Sequence, residues 1–110
     1  MEQEMMLSCG DLQIPFVLNT PGDGIVRRLV MGVHGLGGAT YDEIQSNLAE
    51  EMVYFGAAML RFDFPAHGEN EEEILSLQGC VDTLLDMADY AMERYPDLKD
   101  LCIFATGFGA

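Results

Sequence analysis

Three short apolar runs, at residues 29–33, 57–62 and 101–106, alternate with two segments of helical periodicity, and this alternation constrains the fold more than any other feature of the chain. A nearly continuous apolar run of such length is what a strand buried on both faces requires, because neither side of its sheet meets water. Between the first two runs, Tyr41, Ile44, Leu48, Met52 and Phe55 recur at helical spacing, with Asp42, Glu43, Gln45 and Glu50 off that stripe. Thr40 followed three residues later by Glu43 has the form of a capping box, and Gly56 closes the segment. The second segment, residues 78–95, places Val81, Leu84, Leu85, Ala88, Ala91, Met92 and Tyr95 on an apolar face. Asp82, Asp86, Asp89 and Glu93 form its wet face, and Pro96 and Asp97 stop it. Strand–helix–strand–helix–strand predicts right-handed crossovers onto a parallel sheet, hence an α/β architecture.

Two further strand-like stretches, 4–9 and 12–18, precede this unit, and Gly10-Asp11 between them suits a tight hairpin turn. Dense turn chemistry at residues 19–24 separates the hairpin from the first apolar run. The expected order is therefore a β-hairpin and then β-α-β-α-β, a mostly parallel sheet in one domain, 1–110. Nineteen acidic residues against 5 basic ones leave a formal net charge of −14. Such a surface repels phosphate backbones and anionic headgroups, which argues against nucleic-acid and membrane-surface binding.

Cys9, Cys80 and Cys102 are odd in number, widely spaced and set in apolar contexts, so they are expected to be buried small hydrophobes rather than a zinc or redox pair. The first ten residues carry acids where a signal peptide would be basic. No apolar run approaches the roughly 20 residues that span a bilayer. A cytoplasmic location fits these features, and no cofactor or metal site is expected.

In α/β sheets, ligands bind outside the carboxyl ends of the strands, and three such ends carry unusual residues here. The first is "VHGLGG", residues 33–38, whose glycines let the backbone turn sharply and present N–H groups beside a helix start. It reads as an anion or oxyanion cradle, or as a tight turn that needs glycine only for conformation. A dinucleotide fingerprint is a rival, since Gly35-Leu36-Gly37 supplies G-x-G and Asp63 ends the next run, but Thr40 stands where the third glycine belongs. No G-K-[ST] follows, which excludes a P-loop.

The second end is "FDFPAHGEN", residues 62–70, where Asp63 and His67 are read as structural hydrogen-bonding groups. The acidic run at 69–73 is a solvated charge run and lacks the spacing of a calcium loop. The third end is "ATGFGA", residues 105–110, a strand entering small-x-nucleophile-x-Gly, the pattern of a nucleophile elbow. Ala105 and Gly109 are then the small flanks, and Gly107 takes the nucleophile position.

In this order and spacing, the three motifs resemble the N-terminal half of an α/β-hydrolase. The nearest resemblance is to acyl hydrolases such as monoacylglycerol lipases, cinnamoyl esterases and related serine peptidases. It covers nearly all 110 residues and implies an incomplete fold ending at the nucleophile elbow. It also implies that a serine at the elbow attacks an acyl carbonyl, with a histidine as base and an acid orienting it. Carried onto this chain, the oxyanion hole uses the backbone N–H groups of Leu36, after His34-Gly35, and of Phe108. His34 and His67 match histidines that shape the family's loops, not the base.

Two departures follow. Gly107 has no side chain to act as nucleophile, and the acid and base of the family come after the elbow, so neither falls within these 110 residues. The resemblance also implies that run 101–106 lies inside a larger sheet. Left alone it forms an apolar edge, which calls for a second chain carrying the remaining strands or for self-association. Three functions compete: an acyl hydrolase inactive as this chain alone, a non-catalytic ligand-binding or interaction module on the same fold, and a nucleotide-binding α/β unit.

Overall fold

The computed structural model describes residues 1–9, 12–34, 43–64 and 77–105. Seven elements follow one another: β1 (Glu2–Cys9), β2 (Leu12–Asn19), β3 (Arg28–Val33), α1 (Glu43–Tyr54), β4 (Ala58–Phe62), α2 (Leu77–Arg94) and β5 (Asp100–Ala105). Each expected strand and helix is present within a residue or three of its expected bounds. The Gly10-Asp11 turn and Thr40 of the capping box lie outside the described residues.

The strands form one sheet in the order β1-β2-β4-β3-β5. The three strands of the β-α-β-α-β unit pair in parallel, as the alternation predicts. The hairpin pairs antiparallel within itself and onto β4, so the sheet as a whole is mixed. The connection from β3 to β4 runs one way along the sheet, and that from β4 to β5 runs back across β3. Right-handed crossovers in opposite directions place their helices on opposite faces. Accordingly, α1 covers the face carrying Gly32, Met59 and Arg61, and α2 covers the face carrying Phe16, Leu29, Met31, Leu60 and Phe62.

The α2 face holds the main apolar core, closed by Cys80, Met87 and Ala91 of the helix. The side of α2 that rests on the sheet is rotated from the expected apolar face. Tyr90 packs edge-on against Phe16 of β2, with ring centroids 5.0 Å apart, and fixes one flank of the helix toward the hairpin. The other flank, bearing Val81, Leu85 and Met92, is exposed and turned toward the β5 side. Ile103 of β5, also on the α2 face, is 58% exposed. The apolar stripe of α2 is thus wider than the sheet beneath it.

Helix α1 departs from expectation in the same way. Its buried residues are Gln45 and Ala49, whereas Ile44 and Phe55 of the expected stripe are exposed. The reason lies in the sheet face below. A Cβ at Gly32 would stand 2.7 Å from Met59 Cε and 2.8 Å from Gln45 Oε1, so glycine leaves room for the ends of both side chains between α1 and the sheet. Beside it, Arg61 is 1% exposed. Its guanidinium donates to Ser46 Oγ at 2.9 Å, Asn19 Oδ1 at 2.9 Å and Glu2 Oε1 at 3.0 Å. The Arg61–Ser46 hydrogen bond ties this side of the helix to the sheet, while the Gln45 amide is buried with no hydrogen-bond partner among the described residues. Helix α1 ends as its sequence requires: Gly56 has φ +88°, its N–H donates to Val53 O at 3.1 Å, and Ala57 N–H donates to Met52 O at 2.9 Å. That pair of bonds is a Schellman cap.

Of the cysteines, Cys80 is buried and Cys102 is exposed, so the expectation that all are buried fails at Cys102. Cys102 points to the α1 face of β5, alternating with Leu101 and Ile103, at the edge of the sheet. Burial pushes the Cys80 thiol up, which keeps it protonated and unreactive. Among the described residues no helix is long and apolar enough to cross a membrane.

Candidate functional site

Parallel pairing sets the carboxyl ends of three strands side by side, because Val33 is opposite both Phe62 of β4 and Ala105 of β5. The chain leaves β3 toward α1 on one face and leaves β4 toward α2 on the other. In open α/β sheets such divergence opens a crevice at the strand ends, and ligands bind there.

His34 sits at this end, one residue past β3, and is fully buried. Its Nε2 accepts a hydrogen bond of 3.0 Å from the backbone N–H of Phe64. That nitrogen therefore carries no proton, and the imidazole is held as the tautomer protonated on Nδ1. The ring also meets Phe64 edge-on, with centroids 4.9 Å apart, and Phe64 in turn packs against Phe62 at 5.5 Å. His34 thus ties the end of β3 to the end of β4. With Nε2 committed to a backbone amide, the ring acts as a brace between the two strand ends.

Asp63 lies between the two phenylalanines and is buried. Its backbone N–H donates to Pro15 O at 3.2 Å, which extends the β2–β4 ladder by one residue beyond Phe62. The structure so brings together His34, Asp63 and Phe64. Gly35, Leu36, His67, Gly107 and Phe108 lie outside the described residues. His34 and Ala105, the described residues that immediately precede the segments expected to carry the backbone donors, follow or end neighbouring parallel strands in register. Among the described residues no group of three or more His, Cys, Asp or Glu side chains gathers to hold a metal ion.

Three positions that shape this end escaped the sequence reading. Phe64 supplies the amide that orients His34, and no local pattern marks a backbone donor. Gly32 and Gln45 set how closely α1 approaches β3 just upstream of the crevice. A glycine inside an otherwise apolar strand run was the available signal, since it marks a close approach of another group.

No family model and no curated protein matches the sequence. The fold, however, is shared with solved esterases and serine hydrolases. Est1E from Butyrivibrio proteoclasticus, with ferulic acid bound, superposes with a TM-score of 0.87 at 21% identity, over 96% of this chain and 43% of that one. An α/β serine hydrolase without lid from Xanthomonas campestris gives 0.85 at 18% identity, over 98% and 51%. An esterase from Pyrococcus furiosus gives 0.83 at 18% identity, over 99% and 43%. The chain thus spans about half the length of the structures it matches. At these identities the likeness speaks for the fold, and what these residues form is a partial α/β-hydrolase fold.

Proposed function

We propose that this chain provides the oxyanion-loop and elbow portion of an acyl-hydrolase fold whose chemistry is cleavage of carboxylic esters or related acyl bonds. The observation that carries the reading is the parallel register of Val33 with Ala105. It places Val33 and Ala105, the residues that precede "HGLGG" and "TGFGA" in the sequence, side by side, as an oxyanion loop and a nucleophile elbow would require of their strands. In this reading the N–H groups of Leu36 and Phe108 donate to the developing oxyanion, and His34 and Gly35 shape the loop that carries the first of them. The esterase names of the structural neighbours support the same class of chemistry.

Gly107 leaves the nucleophile position without a side chain, so the chain by itself is expected not to turn over esters. The test is hydrolysis of a p-nitrophenyl ester by the purified chain, and by Gly107→Ser. Both are expected to be inactive, because a serine without its base stays a weak nucleophile. Turnover by the chain that is abolished by Leu36→Pro would overturn this. Gly107 also favours the second reading, a ligand-binding module that keeps the pocket without the chemistry; saturable binding of a carboxylate product with no turnover in any assembled form would decide for it.

The remaining strands of such a fold, on whichever polypeptide they lie, would cover the edge of β5, Ile103 and the exposed α2 residues Val81, Leu85 and Met92. A second copy of this chain suits the surface less well, because two bodies of net charge −14 repel one another.

A further inference from the structure

At the opposite end of the sheet, where β3 and β5 begin, four of the five cations of this acidic chain are gathered. The chain has 5 basic residues. Arg61 is buried beneath α1, and Arg28 pairs with Asp100 at 3.1 Å. The other three, Arg27, Arg94 and Lys99, line a single cleft of about 640 Å³. Among the described residues none of these three has a carboxylate partner within ion-pairing distance. In a chain with 19 carboxylates, three neighbouring cations without an ion-pair partner among the described residues leave local positive charge in the cleft.

The cleft is also prearranged. The carbonyl of Arg27 accepts the N–H of Lys99 at 2.8 Å, which binds the two strand starts together. Arg94, in the last turn of α2, is clamped by two tyrosines: its Nε donates to Tyr95 Oη at 3.2 Å and its Nη1 to Tyr90 Oη at 3.1 Å. Both partners are neutral, so the clamp fixes the guanidinium without cancelling its charge. Three of the five guanidinium N–H bonds remain to donate. Ile25, Tyr95 and Pro96 add an apolar wall, and Asp97 is the one acidic lining residue. The volume falls within the range of small-molecule sites.

From this arrangement we infer that the cleft binds a small molecule bearing an oxyanion, a phosphate or a carboxylate, on an apolar body. Arg94 meets the oxyanion with its fixed fork, Arg27 and Lys99 neutralise it, and the body rests on Tyr95 and Pro96. A nucleic acid is disfavoured because its long backbone would meet the acidic surface around the cleft. At physiological salt, charges more than about 8 Å away are screened, so the local cations outweigh the distant carboxylates for a small anion.

Backbone-amide NMR titrations of the protein with phenyl phosphate, benzoate and inorganic phosphate test this. Saturable shifts confined to residues 25–27 and 94–99 are expected with phenyl phosphate or benzoate. Tighter binding of the former assigns a phosphate ligand, and of the latter a carboxylate. Inorganic phosphate is expected to bind about tenfold more weakly, and equal binding would overturn the apolar body. Arg94→Gln with Lys99→Gln is expected to weaken binding by about tenfold or more. Arg94→Lys, which keeps charge but loses the tyrosine clamp, should fall between. Should the double variant not fold, Arg27→Gln, at an exposed position, carries the same expectation in smaller degree. Shifts that fail to saturate, scatter over the surface or persist in these variants overturn the inference.

Discussion

Replacing His34 by leucine separates what the imidazole does by hydrogen bonding from what it does by filling space. The two side chains have comparable bulk, so the main loss is the Nε2 acceptor. The Phe64 N–H donates to it at 3.0 Å in a site where both residues are buried. Removing one partner of a buried hydrogen bond costs about 1–3 kcal/mol, because the remaining group has left water without compensation. The edge-on contact between His34 and Phe64, at 4.9 Å, adds about 0.5–1.5 kcal/mol in such ring pairs.

A total of about 1.5–4.5 kcal/mol is a large share of the 5–15 kcal/mol typical of a domain. It should appear as a shift of the urea midpoint with an unchanged slope. The sharper assay is hydrogen exchange of the Phe64 amide itself. At 2 kcal/mol or more its protection falls by about 30-fold or more, and it should fall more than that of Val30, a mid-strand residue of β3. Unchanged protection at Phe64, or a stability loss below about 0.5 kcal/mol, would refute the role of His34 as the brace between β3 and β4.

Gly32→Ala drives a methyl group into Met59 Cε and Gln45 Oε1, both buried, and overpacking of this kind costs about 1–3 kcal/mol. Relief of glycine's extra chain entropy returns about 0.5–1 kcal/mol, so denaturation should show a net loss of up to about 2.5 kcal/mol, set by how far the ends of Met59 and Gln45 can give way. Adding Gln45→Ala should recover part of that loss, and strict additivity in the double-mutant cycle would refute the close approach. Arg61→Ala should destabilise by about 2–5 kcal/mol, since it opens a cavity beneath α1 and leaves Ser46 and Asn19 without their donor. Glu2→Gln should cost under about 1 kcal/mol, because Glu2 is more than half exposed and Arg61 keeps its other two partners. Thermal melts of both variants check the difference, and equal losses would refute it.

Much of the architecture was legible in local pattern. Continuous apolar runs and helical spacing depend on residues close in the chain, and so do Gly56 at the end of α1 and Pro96 after α2. The candidate site was legible as motifs at strand ends. What joins those ends was not, because a backbone donor such as Phe64 N–H has no signature in the sequence.

The amino-acid sequence by itself determined the alternation of strands and helices, and with it the parallel β-α-β-α-β unit and the end of the sheet where a site can form. Only the tertiary structure decided which side of each helix is buried. Periodicity locates an apolar stripe, but the surface beneath selects from it. On one face Gly32 and Arg61 draw in Gln45, Ser46 and Ala49 while Ile44 and Phe55 stay in water. On the other face the core centres on Met87 and Ala91, and Leu85 is left 57% exposed. The same holds for charge: composition determines a net −14, but only the pairing of β3 with β5 brings Arg27 and Lys99 together next to Arg94. Burial and proximity are set by contacts between residues far apart in the chain, and hydropathy along the chain does not encode those contacts.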